Sequence, residues 1–403
     1  MRVAVLTIGN ELLSGKTINT NASWISNVLS LEGASINRHL TVPDEKEDIV
    51  YGLDTLFSSK VDLIICTGGL GPTDDDITRK TVFDYFGSEA VFDDKYWKYL
   101  SDKFLKAGYP LLNSNKSQAL LPSNGDTIPN VLGSARGLIY EKNNITLMVL
   151  PGVPLEMKSM VSHSIVPWVK KRIVSKIFSV NIRTTGVPES VLFEKIRKIN
   201  FDLEAMNVGY YPSLYGVDVR ISHTDKNLLE EFKSRVIKCI KKYIYTIGNE
   251  NIENILVAKF LNQKLTISTA ESCTGGLIGH RLTLVPSSSK IYYGGLITYS
   301  NQSKINHLNV SAESIKKFGA VSEEVALEMA RNIKNKFKTS IGISVTGIAG
   351  PGGGTSEKPV GLVYLGYCDE NLIKVKKFNF TSNRELNKIR TSQAMFNFIL
   401  RMI

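Results

Sequence analysis

The sequence predicts an α/β protein of more than one domain, and three observations carry that prediction. Short apolar runs, Val3–Ile8, Val61–Cys66 and Ile145–Leu150 among them, alternate with stretches of helical period. Glycine-rich turns follow several such runs, at Gly68-Gly69-Leu70-Gly71, Gly275-Gly276 and Gly347-Ile348-Ala349-Gly350. The chain has 403 residues, too many for one ordinary core. Alternating strands and helices imply a mostly parallel sheet covered on both faces, with ligands at the carboxyl ends of its strands.

Taken in order, the first segment reads as strand Val3–Ile8, a helix over Thr20–Leu31, strand Ala34–Leu40, helix Glu45–Ser58 and strand Val61–Cys66. The alternation continues to Ile145–Leu150, where Pro151-Gly152-Val153-Pro154 breaks it and a helix leads out to Trp168. The basic run Lys170-Lys171-Arg172 marks a boundary. A small α+β unit follows: strand Ile177–Thr185, helix Pro188–Ile199, strands Ala205–Tyr211 and Gly216–His223, helix Lys226–Tyr243. Gly248-Asn249-Glu250 closes it. The last segment is α/β again: helix Asn251–Asn262, strands at Leu265–Thr269, Gly294–Tyr299, Thr339–Thr346 and Val360–Tyr367, helices at Ser322–Lys336 and Asn383–Arg401.

Composition is that of a globular protein, with 43% hydrophobic and 22% charged residues. The N-terminal apolar run ends in Gly-Asn-Glu without a small-residue cleavage site, and no run has the length of a membrane span, so neither a leader nor a membrane partner is expected. Four cysteines without metal-ligand spacing fit a reducing cytoplasm. The net charge of +11 is uneven: residues 1–168 hold 15 Lys+Arg against 19 Asp+Glu, and the excess of base lies beyond them. The basic residues lack interleaved exposed aromatics of the stacking kind, which favours a lysine-rich solvated surface over a nucleic-acid partner.

Two regions carry chemistry. In the first segment, Thr67, Gly68, Gly69, Gly71 and Thr73 form a donor-rich turn between a strand and a helix, suited to phosphate. Asp74, Asp75 and Asp76 follow at once and would repel a phosphate unless a divalent cation lay between. Glu11 and Asp44 sit near neighbouring strand ends and complete a candidate metal set. Polar loops around Lys116 and Asn130 could close over a ligand. The competing reading of any single aspartate is a cap on the helix near Ile77.

In the last segment, Glu271-Ser272-Cys273-Thr274-Gly275-Gly276 lies at a strand-to-helix turn suited to phosphate or oxyanion binding, with capping by Ser272 or Thr274 as the alternative. Pro286-Ser287-Ser288-Ser289, Tyr299-Ser300-Asn301-Gln302-Ser303-Lys304 and Thr346-Gly347-Ile348-Ala349-Gly350 add hydroxyls, a lysine and a second glycine-rich turn. No histidine falls in these motifs, so a serine nucleophile would need a desolvated lysine or a tyrosine–lysine pair as its base. Cys273 lacks a neighbouring base and reads as a small buried residue.

Together these motifs resemble the CinA family of competence/damage-inducible proteins over essentially the whole chain. Thr-Gly-Gly-Leu-Gly-Pro-Thr-x-Asp-Asp is similar to the signature of molybdopterin-binding (MoaB/MogA-like) domains. Thr-Ala-Glu-Ser-Cys-Thr-Gly-Gly, Thr-Tyr-Ser-Asn-x-x-Lys and Gly-Ile-Ala-Gly-Pro resemble nicotinamide mononucleotide deamidases. The resemblance implies three domains: a three-layer α/β/α domain over 1–168, a small KH-like α+β domain over 169–248, and an α/β deamidase domain over 249–403.

It also implies two hydrolases: deamidation of nicotinamide mononucleotide by the last domain without a cofactor, and hydrolysis of ADP-ribose by the first with magnesium or cobalt, potassium being an accessory ion. For the deamidase it implies Ser289 as nucleophile, Tyr299 and Lys304 as proton relay and base, and Thr346 at the second turn. Ser272, Thr274, Gly275, Gly347 and Arg384 would hold the substrate's phosphate or ribose. The family's Gly-Ser-Ser is Ser287-Ser288-Ser289 here, which leaves the nucleophile's register open by one residue. Homodimerisation is expected by the same analogy. Two other readings stand beside these: a first domain that only binds a pterin or nucleotide, and a competence factor acting with nucleic acid. No Gly-x-x-Gly clamp supports RNA binding in the middle segment.

Overall fold

A computed structural model describes residues 1–173, 177–202, 206–380 and 383–403. The chain forms two compact units, Met1–Phe178 and Ser179–Ile403.

The first unit is a six-stranded sheet with helices on both faces. Its elements are β1 (Arg2–Ile8), α1 (Thr20–Leu31), β2 (Ser35–Val42), α2 (Lys46–Phe57), β3 (Leu63–Thr67), α3 (Thr78–Tyr85), α4 (Asp94–Lys106), β4 (Asp126–Ile128), β5 (Gly137–Lys142), β6 (Ile145–Leu150) and α5 (Pro154–Met160). The spatial order is β2-β1-β3-β6-β5-β4. The four strands β2, β1, β3 and β6 run parallel, while β5 and β4 pair antiparallel at the edge.

The apolar runs are continuous because both faces are buried. Val3 and Val5 of β1, Leu63 and Ile65 of β3, and Met148 and Leu150 of β6 enter one core with α1 and α5. Ala4, Leu6 and Ile8, with Ile64, Cys66, Leu147 and Val149, enter the other with α2 and α3. Period-two alternation on two buried faces reads as an unbroken hydrophobic stretch.

The second unit holds two sheets. The smaller contains β7 (Phe178–Thr184), β8 (Asn207–Ser213), β9 (Gly216–His223) and β10 (Ile244–Ile247) in the order β8-β9-β7-β10, with α6 (Glu189–Arg197) and α7 (Lys226–Ile240). The strand expected to start at Ala205 is described from Asn207; Ala205 lies outside the described residues.

The larger sheet follows α8 (Ile252–Gln263). It contains β11 (Ile267–Glu271), β12 (Tyr292–Ile297), β13 (Ile341–Gly347), β14 (Leu362–Cys368) and β15 (Ile373–Asn379) in the order β12-β11-β13-β14-β15. Its remaining helices include α9 (Leu277–Thr283), α10 (Asn301–Leu308), α11 (Glu323–Phe337) and α12 (Arg384–Leu400). The strands β12, β11 and β13 are parallel, and β14 and β15 are added antiparallel. The parallel trio brings Glu271, Ile297 and Gly347 to one edge, where three of the singled-out motifs meet.

Candidate active sites

In the first unit the carboxyl ends of β1, β3 and β6 open into a cavity of about 590 Å³. Its floor is Thr67-Gly68-Gly69-Leu70-Gly71, and Glu11, Asp44, Asp75 and Asp76 line one side. Gly68 has φ +119°, and a Cβ there would sit 2.1 Å from the Ile8 carbonyl oxygen, so the turn admits only glycine. Thr67 Oγ1 donates to Pro151 O at 2.9 Å, and the Thr78 N–H donates to Gly69 O at 3.1 Å, closing the turn onto α3. None of the three aspartates caps that helix: its N-cap is Ile77, with no side-chain cap bond.

The acidic side is electrostatically coupled. Burial pushes the Asp44 carboxyl above its ordinary range; an N–H bond from Asn10 opposes this, and the charges of Glu11, Asp75 and Asp76 add to the rise. Asp76 Oδ2 accepts from both the backbone N–H and the hydroxyl of Thr73, so Thr73 fastens the acidic loop.

Three expectations change here. Asp74, with Thr73, lines a neighbouring cavity with Phe104 and Tyr109 and not the one bounded by Glu11 and Asp44. Asn130 does not face the ligand space. Its amide donates to Ala135 O at 3.0 Å and to Glu156 Oε2 at 2.7 Å, while its oxygen accepts from the Leu132 and Gly133 N–H groups. Lys116 is exposed and lies off the cavity wall. Among the described residues no group of three or more His, Cys, Asp or Glu side chains stands ready to hold a metal ion. Glu11, Asp44, Asp75 and Asp76 all line the cavity, and the like charges of the other three add to the rise at Asp44; magnesium usually takes one or two carboxylates plus substrate phosphates rather than a protein cage.

In the second unit, β11 ends in Glu271 and the chain turns through Ser272–Gly276 into α9. The Glu271 carboxylate accepts backbone N–H bonds from Gly276 at 3.0 Å, Ile278 at 3.1 Å and Gly279 at 2.9 Å. It holds the turn and is not free for proton transfer. Ser272 N–H donates to Val345 O on β13 at 3.0 Å, which sets the hydroxyl beside the second glycine-rich turn.

Lys304, on α10, is 1% exposed. Its Nζ donates to Ser272 Oγ at 3.0 Å, to Thr298 O at 2.8 Å and to Tyr299 O at 3.3 Å. Burial lowers its pKa to about 8 from an ordinary 10.5. Two of the three partners are carbonyl oxygens, which can only accept. When the ammonium loses a proton, the two remaining N–H bonds stay on those carbonyls and the lone pair turns to Ser272 Oγ. The geometry therefore points one basic lone pair at one hydroxyl.

Ser289 is exposed, on the helical turn Ser288–Lys290, and the three N–H groups of Lys304 are spent elsewhere. The serine that the lysine addresses is Ser272, expected from the sequence among the substrate-holding hydroxyls. The missed signal was its position: first residue after a buried strand, before a glycine turn and a helix.

Tyr299 also differs from expectation, since its backbone carbonyl contacts Lys304 while its phenol accepts from Arg384 Nη2 at 2.5 Å. Arg384 Nη1 donates to Gly350 O at 2.8 Å, joining the start of α12 to the second glycine turn that begins at Gly347. Thr346 Oγ1 donates to Ala320 O at 2.7 Å, so its proton is committed to a loop. Thr274 Oγ1 is buried without a partner, and Gly275 lies where a Cβ would come within 3.7 Å of Lys388 Nζ. Cys273 is 5% exposed, and burial raises its thiol pKa to about 12, so it stays protonated.

One unit of this α/β protein holds a glycine-floored acidic cavity, and the other holds a buried serine–lysine pair. Residues 4–171 match the family described as "Probable molybdopterin binding domain", and residues 249–403 match the "CinA C-terminal domain" family. A competence-damage inducible protein of Clostridium botulinum is 37% identical over 100% of this chain and 99% of its own. One from Clostridium acetobutylicum is 36% identical, also over 100% of this chain and 99% of its own. Among solved structures, the competence/damage inducible protein CihA of Agrobacterium tumefaciens is 36% identical, covering 38% of this chain and 93% of its own, with a TM-score of 0.37. The chain belongs to the CinA family of competence/damage-inducible proteins. No helix among the described residues is long and apolar enough to cross a membrane.

Proposed function

We propose that the second unit is a serine–lysine amidase that converts nicotinamide mononucleotide and water to nicotinate mononucleotide and ammonia. The observation that carries this reading is the buried Lys304 Nζ at 3.0 Å from Ser272 Oγ. At pH 7 a lysine of pKa about 8 is neutral in roughly a tenth of molecules, against about one in three thousand for an ordinary lysine. Lys304 takes the Ser272 proton as Oγ attacks the carboxamide carbon. The N–H groups of Cys273 and Thr274 hold the oxyanion, those of Ser272, Gly275 and Gly276 being bonded to Val345 O, Ser272 O and the Glu271 carboxylate. Lys304 returns the proton to the leaving nitrogen, the C–N bond breaks and ammonia departs. Water then adds to the acyl-serine, giving its proton to Lys304, and the carboxylate leaves as Ser272 recovers its hydrogen. Arg384 and Lys388 would supply positive charge to the substrate's phosphate. The test is ammonia release from nicotinamide mononucleotide: Lys304→Ala should abolish it, and undiminished turnover would refute the assignment.

For the first unit the reading is hydrolysis of the ADP-ribose pyrophosphate. The glycine turn receives phosphate oxygens, and Glu11, Asp44, Asp75 and Asp76 would hold a divalent cation arriving with the ligand. Bound there, a cation supplies charge neutralisation and a more acidic water. The other reading is a binding module for a pterin or nucleotide, without turnover. Product analysis with ADP-ribose, magnesium and then EDTA separates the two. Release of AMP that chelation stops supports hydrolysis, and binding without products supports the module.

A further inference from the structure

The catalytic turn of the second unit and the cations beside it stand on two different helices, and one buried side chain joins them. Ser272 and the turn after it lead into α9, while Arg384 and Lys388 lie at the start of α12. Lys388 Nζ is 3.7 Å from where a Cβ on Gly275 would sit, so the start of α12 lies against the turn.

Arg281 is in the last turn of α9 and is 6% exposed. Its Nη1 donates to Ser392 Oγ on α12 at 2.8 Å. Its Nη2 donates to Gln393 Oε1 on α12 at 2.9 Å and to Glu253 Oε2 on α8 at 2.8 Å. A planar fork bonded to two helices at fixed angles sets their spacing from α9. The other end of α9 is held by the Glu271 carboxylate through three backbone N–H bonds. A helix of seven residues fastened at both ends transmits the placement of one end to the other.

The small sheet completes the seat of Arg281. Two rings pack on the guanidinium, Phe396 of α12 at 4.6 Å and Tyr215 at 4.9 Å. Tyr215 belongs to the turn between β8 and β9. That turn is fixed: the Tyr215 N–H donates to Ser213 Oγ at 3.2 Å, and a Cβ on Gly216 would lie 1.9 Å from Thr184 O on β7. The residue after Thr184 is also engaged, since Thr185 Oγ1 accepts from Gln393 Nε2 at 3.4 Å. Tyr215, the end of β7, Gln393 and Arg281 thus close a ring of contacts between the two sheets.

We propose that Arg281 is a positioning residue for the amidase and that Tyr215, from the small sheet, holds it in place. The pair sets the distance between Ser272, which attacks, and the start of α12, where Arg384 and Lys388 would meet the phosphate. Without the Tyr215 ring, water reaches the guanidinium and weakens its bonds to Glu253, Ser392 and Gln393, because such bonds are strongest where water is excluded. Displacing a nucleophile by about 1 Å costs up to roughly a hundredfold in rate. This positioning role rests on the amidase reading.

The test is steady-state ammonia release from nicotinamide mononucleotide by wild type, Tyr215→Phe and Tyr215→Ala, from pH 6 to 10 and well below each protein's melting temperature. Tyr215→Ala should lose about tenfold in kcat, while Tyr215→Phe, which keeps the ring, stays within about twofold. The midpoint of the pH profile should be the same in all three, because Lys304 bonds to Ser272, Thr298 and Tyr299 and not to this ring of contacts. A merely structural Tyr215 would lower the melting temperature of Tyr215→Ala and leave kcat alone. Wild-type kcat in Tyr215→Ala, an equal loss in Tyr215→Phe, or a shifted pH midpoint would each overturn the proposal. No ammonia from wild type would overturn the amidase reading, and the positioning role with it.

Discussion

Lys304 Nζ lies 3.0 Å from Ser272 Oγ, and its other two bonds go to the carbonyls of Thr298 and Tyr299. A lysine held this way has one direction left for a lone pair. Burial makes the neutral form accessible, and the carbonyls aim it.

The first consequence is a pH profile. Lys304 must be unprotonated to accept the serine proton, and burial lowers its pKa to about 8. For nicotinamide mononucleotide, kcat/KM should therefore rise with pH and level off above about 8. Measuring it from pH 6 to 10 checks this; a rate that falls through that limb would assign the base elsewhere.

The second concerns stability. Lys304 is ordinarily protonated below 10.5 in the unfolded chain but only below about 8 in the folded one. Between those values the unfolded state binds more protons, so stability rises with pH across that window, by up to about 3 kcal/mol in total. Lys304→Met removes the titration. Denaturation of wild type and variant at pH 7 and pH 10 should show the variant's relative stability declining as pH rises, and parallel curves would contradict it.

A third prediction follows from Arg281. It is buried, donating to Glu253 Oε2 at 2.8 Å, to Ser392 Oγ at 2.8 Å and to Gln393 Oε1 at 2.9 Å, with the Phe396 ring 4.6 Å from its guanidinium carbon. Glu253→Ala leaves that charge without its carboxylate and should cost about 3–5 kcal/mol. Urea denaturation reads this directly.

The fourth concerns the glycine floor. An alanine at Gly68 would drive its Cβ onto the Ile8 backbone at a φ of +119°, where no side chain can yield. Gly68→Ala should destabilise the first unit by about 2 kcal/mol or more and remove its ligand binding. Melting and ADP-ribose titration of the purified variant test both.

Much of this was legible in the residues. Val3–Ile8 and Val61–Cys66 read as strands because both faces of the sheet are buried and every position but Thr7 and Asp62 is apolar. The helices expected at Ser322–Lys336 and Asn383–Arg401 occur as Glu323–Phe337 and Arg384–Leu400, their starts set by the capping side chains of Ser322 and Asn383. Lys304 was singled out because no histidine falls in the motifs, and the structure buries it against Ser272.

Its partner was not, since Ser272 and Lys304 meet only through the parallel pairing of β11 with β12. Serine runs such as Ser287–Ser289 attract attention by composition, yet only the fold shows that Ser289 faces solvent. Asn130 reads as a free loop residue for the same reason: its bond to Glu156 spans 26 residues and leaves no local pattern.

The central claim is that Ser272, activated by Lys304, is the nucleophile. Ammonia release from nicotinamide mononucleotide by Ser272→Ala and Ser289→Ala tests it most directly. Ser272→Ala should lose at least about a thousandfold in kcat while Ser289→Ala stays near wild type. A Ser272→Ala enzyme that turns over normally, with activity lost instead in Ser289→Ala, would contradict it.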